Sequence, residues 1–246
     1  MKALVLRLDA PLLSFGTVMV DQHGFIDRFP GTAMLTGLIA NALGWRHGDF
    51  GLLQRLQDRI RFAARWDVRP QPIVDYHTVD LGQGKMRHPG WTTRGWPEHR
   101  AGGQDARFGI HQRYRHYWAD GLMTCVLTLT GADAPDLDAV LAALRRPARP
   151  LFLGRKTCLP ARPLLDPEMP VAEGESLLEI LRRVPVWDRQ GCPVAQAGKR
   201  EACWPPEAEA GACGEIRRVY DLRDWANQLP AGSRQRVDGL IGDGES

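Results

Sequence analysis

Gly154, Arg155, Lys156 and Thr157 follow an apolar, strand-like segment, Leu151 to Leu153, and these residue types are the ones that hold phosphates in nucleotide-binding loops. A loop of that kind needs a contiguous Gly-Lys-Ser/Thr, an earlier glycine at fixed spacing, and a helix whose N-terminus faces the anion. Here Arg155 splits the triplet, Arg149 stands where the earlier glycine belongs, and Pro160 and Pro163 prevent a regular helix from following. A glycine beside two cations suits a different ligand. Backbone amides can approach an RNA strand closely at Gly154, while Arg155 and Lys156 supply charge.

A second group lies upstream. HQRYRHYW (His111 to Trp118) holds the types a metal-independent ribonuclease needs: a base for the 2'-hydroxyl proton, an acid for the leaving oxygen, and cations for the phosphorane. As a strand, it puts His111, Arg113, Arg115 and Tyr117 on one face and Tyr114, His116 and Trp118 on the other. A catalytic set would then have to borrow His77 or Lys156. Binding asks for less, because arginines separated by rings and glycines pair with phosphates while the rings stack on unpaired bases, at roughly 1–3 kcal/mol per base. Gly82 to Trp118 has that composition, with seven glycines, Lys85 and six arginines against only Glu98 and Asp105, and Trp91, Trp96 and Tyr114 interspersed. His77, His88, His99, His111 and His116 crowd the same region without Cys-x-x-Cys or His-Glu-x-x-His spacing, so they read as solvated loop histidines and not metal ligands.

The elements that must position these residues follow from periodicity. Lys2 to Leu8 alternates as a strand with one buried face. After an irregular stretch from Asp9 to Pro30, Gly31-Thr32 opens a core-facing helix to about Leu43, stopped by Gly44. Ile60 to Val68 and Ile73 to Val79 read as an antiparallel pair across the RPQP turn. Leu122 to Leu129 is the clearest strand, and Asp136 to Arg146 a short amphipathic helix with aspartates at its start and arginines at its end. The LFLG segment then supplies the last strand of an α+β, β-α-β-β-α-β unit with helices on one face of an antiparallel sheet. Gly82 to Trp118 is a long insertion into that unit, and a protruding hairpin or mobile arm suits it better than packed core. Beyond Asp166 the chain is punctuated by Pro and Gly, with a helix at Ser176 to Arg183 and a strand at Ile216 to Leu222.

The totals limit the function classes. A chain of 246 residues can bury a core without a metal or cofactor, and a formal charge of +3 requires any nucleic-acid surface to be local. Cys125, Cys158, Cys192, Cys203 and Cys213 form no Cys-x-x-Cys pair, and their odd number argues for a reducing cytoplasm. Arg7 and Asp9 interrupt the apolar core a signal peptide would need, and no run reaches transmembrane length.

LLSFG (Leu12 to Gly16), RFP (Arg28 to Pro30), FAARWD (Phe62 to Asp67), DYHTV (Asp75 to Val79) and LFLGRKTCLPARPL (Leu151 to Leu164) together resemble the CasD group of the CRISPR-associated Cas-five family, subunits of type I-E Cascade complexes. The resemblance implies a ferredoxin-like (RRM-like, RAMP) domain over 1–166 with a glycine-rich loop, 82–118 as an inserted thumb hairpin, and 167–246 as a C-terminal extension. It implies a cytoplasmic, noncatalytic subunit that caps the 5' handle of CRISPR RNA, contacts the CasC backbone and CasA large subunits, and meets target DNA in the assembled complex. Gly154, Arg155, Lys156, Tyr76 and His77 would lie near the handle, with Lys85, Arg87, Arg94, Arg107, Arg113 and Arg115 along the thumb. The alternative is a repeat-processing endoribonuclease, as in type I-C relatives that use a tyrosine, lysine and histidine set. No Lys-His pair of that kind aligns here, and type I-E complexes give the cleavage to a separate subunit.

Overall fold

The computed structural model describes residues 1–19, 22–80, 110–194, 198–208 and 214–242. In chain order these form β1 (Lys2–Asp9), β2 (Leu12–Leu13), β3 (His23–Gly24), α1 (Thr32–Ala42), α2 (Phe50–Arg59), β4 (Ile60–Val68), β5 (Gln71–Asp80), β6 (Ile110–Ala119), β7 (Leu122–Leu129) and α3 (Leu137–Arg145). There follow β8 (Val171–Glu173), α4 (Leu177–Arg183), the ribbon of β9 (Val186–Trp187) with β10 (Pro193–Val194), β11 (Arg200–Trp204) and β12 (Gly214–Val219). The ribbon of β13 (Arg223–Asp224) with β14 (Leu229–Pro230) and the long β15 (Arg234–Ile241) complete the described chain.

An antiparallel sheet in the order β12-β15-β11-β4-β7-β1-β8 forms the body. Its central strands are covered on both sides. Leu4, Leu6 and Leu8 of β1 pack in one cluster with Leu35, Leu38 and Ile39 of α1 and Val140 and Leu144 of α3. Ala3 and Val5 point the other way into a cluster with Leu177, Leu178, Ile180 and Leu181 of α4 and Trp204 and Val237. β1 is therefore buried on both faces, not one, because the chain beyond Asp166 folds back over the side that α1 and α3 leave open.

Arg7 shows what that second cover requires. Fully buried, it donates to Asp67 (2.9 Å), Asp166 (2.8 Å), Thr124 and the Pro185 carbonyl, and its guanidinium lies 4.2 Å from the Trp187 ring centroid. Asp67 is saturated in turn by Arg65 Nε (2.8 Å), Thr124 Oγ1 (2.7 Å) and the Trp187 amide (2.9 Å). Burial pulls the Arg7 pKa below the ordinary arginine value even with Asp67 and Asp166 beside it. A buried charge that is fully paired and hydrogen-bonded is tolerated, and here it fastens three strands of the sheet to the C-terminal cover.

Local signals hold for α1, α3 and α4. α1 ends where expected, with Gly44 at φ +78°, and Asp136 and Ser176 cap α3 and α4 by accepting from the Ala139 and Glu179 amides. Two expectations fail. β4 is flanked by β7 and β11 and buried along nearly its whole length, so it offers no edge to residues 71–80. That strand leaves the body and pairs instead with β6 from Gln71↔Ala119 onward. Likewise LFLG is a loop and not a strand: Leu153 is buried, but Gly154 takes φ +99°, and the Cys158 amide donates back to the Arg155 carbonyl (2.9 Å). The strand that pairs with the outer edge of β1 is the three-residue β8.

Candidate nucleic-acid interface

The Leu151–Cys158 loop and the β5/β6 hairpin meet along one seam. Ser14, just past β2, donates its amide to the Leu153 carbonyl (3.1 Å), and the Leu153 amide donates to the Cys158 carbonyl (2.8 Å). A Cβ at Gly154 would stand 1.7 Å from the Ser14 carbonyl oxygen, so only glycine permits this approach. Arg155 leaves the loop toward the hairpin. Its Nη1 donates to the His116 carbonyl (2.9 Å) and its Nη2 to the Gly24 carbonyl (3.0 Å), and the guanidinium sits 4.7 Å from the Tyr117 ring centroid. At Gly24 a Cβ would lie 2.6 Å from Arg155 Nη2, so a larger residue there would displace the end of the Arg155 side chain. Arg155 thus ties the loop to β6 and β3, whereas Lys156 is exposed beside it.

β6 carries two different faces. On one, the β5 and β6 register sets Tyr76 opposite Tyr114, and the parallel β3 register sets His23 opposite the same Tyr114. The rings form a cross-strand ladder: Tyr76 to Tyr114 at 5.1 Å, Tyr114 to His23 at 4.7 Å and 8° between planes, His23 to Phe25 at 5.3 Å and 9°, and Phe25 to His116 at 5.0 Å. Tyr76 is 51% and Phe25 45% exposed, so two rungs of the ladder are open to solvent. Among the described residues, His23 Nδ1 and His116 Nε2 are buried without a hydrogen-bond partner.

The opposite face is ionic. Arg115 stands across from Asp75, and Arg113 across from His77, whose Nε2 lies 2.5 Å from Asp75 Oδ2. The expected division of β6 is therefore observed from Arg113 onward, while the side chain of His111 lies outside the described residues. This division parts Tyr76 from His77: the tyrosine belongs to the ring ladder, the histidine to the charged face. Lys85, Arg87, Arg94 and Arg107 lie outside the described residues.

His23 and Phe25 were not anticipated from the sequence, where they fall in the irregular Asp9 to Pro30 stretch. The available signal is His-Gly-Phe, two rings alternating about a glycine, but its significance depends on pairing with β6 roughly ninety residues away. Among the described residues no group of three His, Cys, Asp or Glu could hold a metal ion, and no helix is long and apolar enough to cross a membrane.

Comparison with known proteins adds the lineage. Residues 3–237 match the family described as CRISPR-associated protein (Cas_Cas5). The chain belongs to the CRISPR-associated Cas5 family. Among relatives of this Cas5 protein, the CRISPR system Cascade subunit CasD of Escherichia coli (strain K12) is 29% identical over 169 residues, 65% of this chain and 68% of that protein. Its fold is similar to a chain of a solved CRISPR RNA-guided surveillance complex, with TM-score 0.66 and 22% identity over 98% of this chain and 90% of that one. A solved Cas protein gives TM-score 0.61 and 22% identity over 98% and 94%. The mixed α+β architecture is thus that of Cas5 proteins.

Proposed function

We propose that this chain is a noncatalytic, cytoplasmic RNA-binding subunit of a type I-E Cascade surveillance complex in CRISPR defence. It holds the 5' handle of the CRISPR RNA, contacts the CasC backbone and CasA large subunits, and meets target DNA only within the assembly. In this reading the β1-α1-β4-β7-α3-β8 order is a ferredoxin-like unit, the glycine-rich loop is Leu151–Cys158, and the insertion 82–118, which contains most of β6, is the thumb.

The observation that carries the reading is the ring ladder on one face of β6, backed by arginines on the other and anchored by Arg155 to the glycine loop. The exposed residues Tyr76 and Phe25 offer stacking to any unpaired base, while guanidinium groups supply phosphate contacts. Family membership and the CasD relative support the assignment to a ribonucleoprotein. A noncatalytic role is supported by the geometry of His77, which is paired with Asp75 on the face away from Tyr114 and His116.

The test is direct binding of single-stranded repeat RNA, measured by anisotropy, for the wild type and Tyr76→Ala. Loss of one stacked base weakens binding by about 5- to 150-fold. Equal affinities in the two proteins would remove the ladder from the RNA path.

A further inference from the structure

The ring ladder leaves four arginines unused: Arg28, Arg217, Arg218 and Arg236. They wall a cleft of about 460 Å³ between residues 16–18 and 26–31 on one side and the edge strand β12 on the other. Arg236 is only 2% exposed, and its Nε and Nη2 donate to Asp238 (2.6 and 2.9 Å), with Nη2 also reaching Asp27 (3.0 Å). Its Nη1 is buried and, among the described residues, has no acceptor. Arg28 repeats the pattern: Nε is held by Glu201 (2.5 Å), the guanidinium stacks on Trp66 and Trp118, and Nη2 is buried without an acceptor.

These donors cannot turn elsewhere, because ion pairs and ring contacts fix both guanidinium planes. The two carboxylates in the wall do not serve them either. Asp27 already accepts from Arg236 Nη2, and Asp221 is taken by Arg234 and the Thr32 amide. Arg217 stands directly opposite Arg236 in the β12–β15 register, and Asp238 lies near both (3.6 Å from Arg217, 2.6 Å from Arg236), so that pair is compensated and the open donors are those of Arg28 and Arg236. Although burial opposes the Arg236 charge, Asp238 and Asp27 hold its pKa above the ordinary arginine value, so it stays cationic.

We propose that this cleft binds a phosphate group of a single-stranded nucleic acid, held by Arg28 and Arg236 at its base and Arg218 at its rim. A tetrahedral anion offers several acceptor oxygens to donors that converge from different elements, which suits guanidinium forks fixed in place. Tyr220, 63% exposed beside Arg218, supplies a ring for the adjoining base. The wall residues Ile26 to Arg28 follow His23 and Phe25 directly in the chain. The inference rests on the RNA-binding reading and extends it to a second site.

The test compares the salt dependence of repeat-RNA binding for the wild type, Tyr76→Ala, Arg218→Glu and Arg236→Lys, with a melting curve for each protein. A second arm measures the melting shift given by inorganic pyrophosphate. Arg218→Glu should flatten the log–log slope by about 0.7, so that a fourfold rise in salt costs the wild type about 2.6-fold more affinity than this variant, while Arg236→Lys, which keeps the charge and loses the fork, should weaken binding at an unchanged slope. RNA binding that depends on Tyr76 but keeps the wild-type slope in Arg218→Glu and the wild-type affinity in Arg236→Lys would overturn the cleft and leave the RNA reading intact. If the wild type binds no RNA, yet pyrophosphate raises its melting temperature in an Arg218-dependent way, the phosphate site stands and RNA is not its source. If neither ligand is bound, the cleft proposal fails together with the RNA reading.

Discussion

Gly154→Ala is the sharpest perturbation of the loop. The new Cβ would sit 1.7 Å from the Ser14 carbonyl oxygen, whereas real Cβ contacts stay above 3.0 Å, so the loop or β2 must shift by more than an ångström. The φ of +99° adds strain that L side chains avoid, about 1–3 kcal/mol. The shift also breaks the Ser14 to Leu153 backbone bond, about 1 kcal/mol more. The sum of about 2–4 kcal/mol corresponds to a fall in melting temperature of about 4–16 °C for a chain of this size. Because Arg155 anchors the hairpin through this loop, RNA affinity should fall as well, measured at a temperature where the variant is still folded. Differential scanning calorimetry together with RNA anisotropy reads both effects. A melting temperature within a degree of wild type would refute the close approach of Gly154 to Ser14, and intact RNA affinity in a destabilised variant would refute the coupling of loop to hairpin.

Other outcomes follow from the same structure. Asp67→Asn leaves Arg7 and Arg65 buried with one partner fewer and should cost about 3–5 kcal/mol in chemical denaturation; a loss under 1 kcal/mol would contradict a charged network. Burial raises the thiol pKa of Cys125 and Cys158 and pushes Cys203 up to about 12, so all three should resist iodoacetamide at pH 8 in the native state while exposed Cys192 reacts. Labelling of Cys203 without unfolding would disprove its place between β4 and β15. The Glu175 amide and Arg183 hold the Glu179 pKa below the ordinary glutamate value. Its contribution to stability is present above that ordinary value and is lost as pH falls through the lowered native one, so Glu179→Gln should flatten the stability profile below about pH 4.3. Superimposable acid profiles would discount the α4 contact.

Short-range pattern carries much of this fold. The alternation in β7, the apolar stripe of α1 and the caps of α3 and α4 need only their own residues. What local pattern misses depends on partners far along the chain. α2 went unrecognised because its apolar stripe, Phe50, Leu53 and Leu56, is short and is followed by buried Gln57 and Arg59. Gln57 tolerates burial only because its amide bonds the Arg223 backbone and the Trp225 indole. Residues 71–80 read correctly as a strand but with the wrong neighbour, since whether β4 has a free edge is decided by β11, more than a hundred residues later. The site divides the same way. Glycine and charge mark Gly154 to Lys156 in the sequence, whereas the commitment of Arg155 to the His116 and Gly24 carbonyls depends on where β3 docks.

The central claim is that the chain binds CRISPR repeat RNA without cutting it. The most direct measurement incubates purified protein with labelled full-length repeat RNA in excess EDTA and runs native and denaturing gels side by side. A shifted band that remains intact under denaturing conditions is the predicted result. A discrete cleavage product abolished by His116→Ala would make the hairpin an active site, and the absence of any shift would remove RNA from its function.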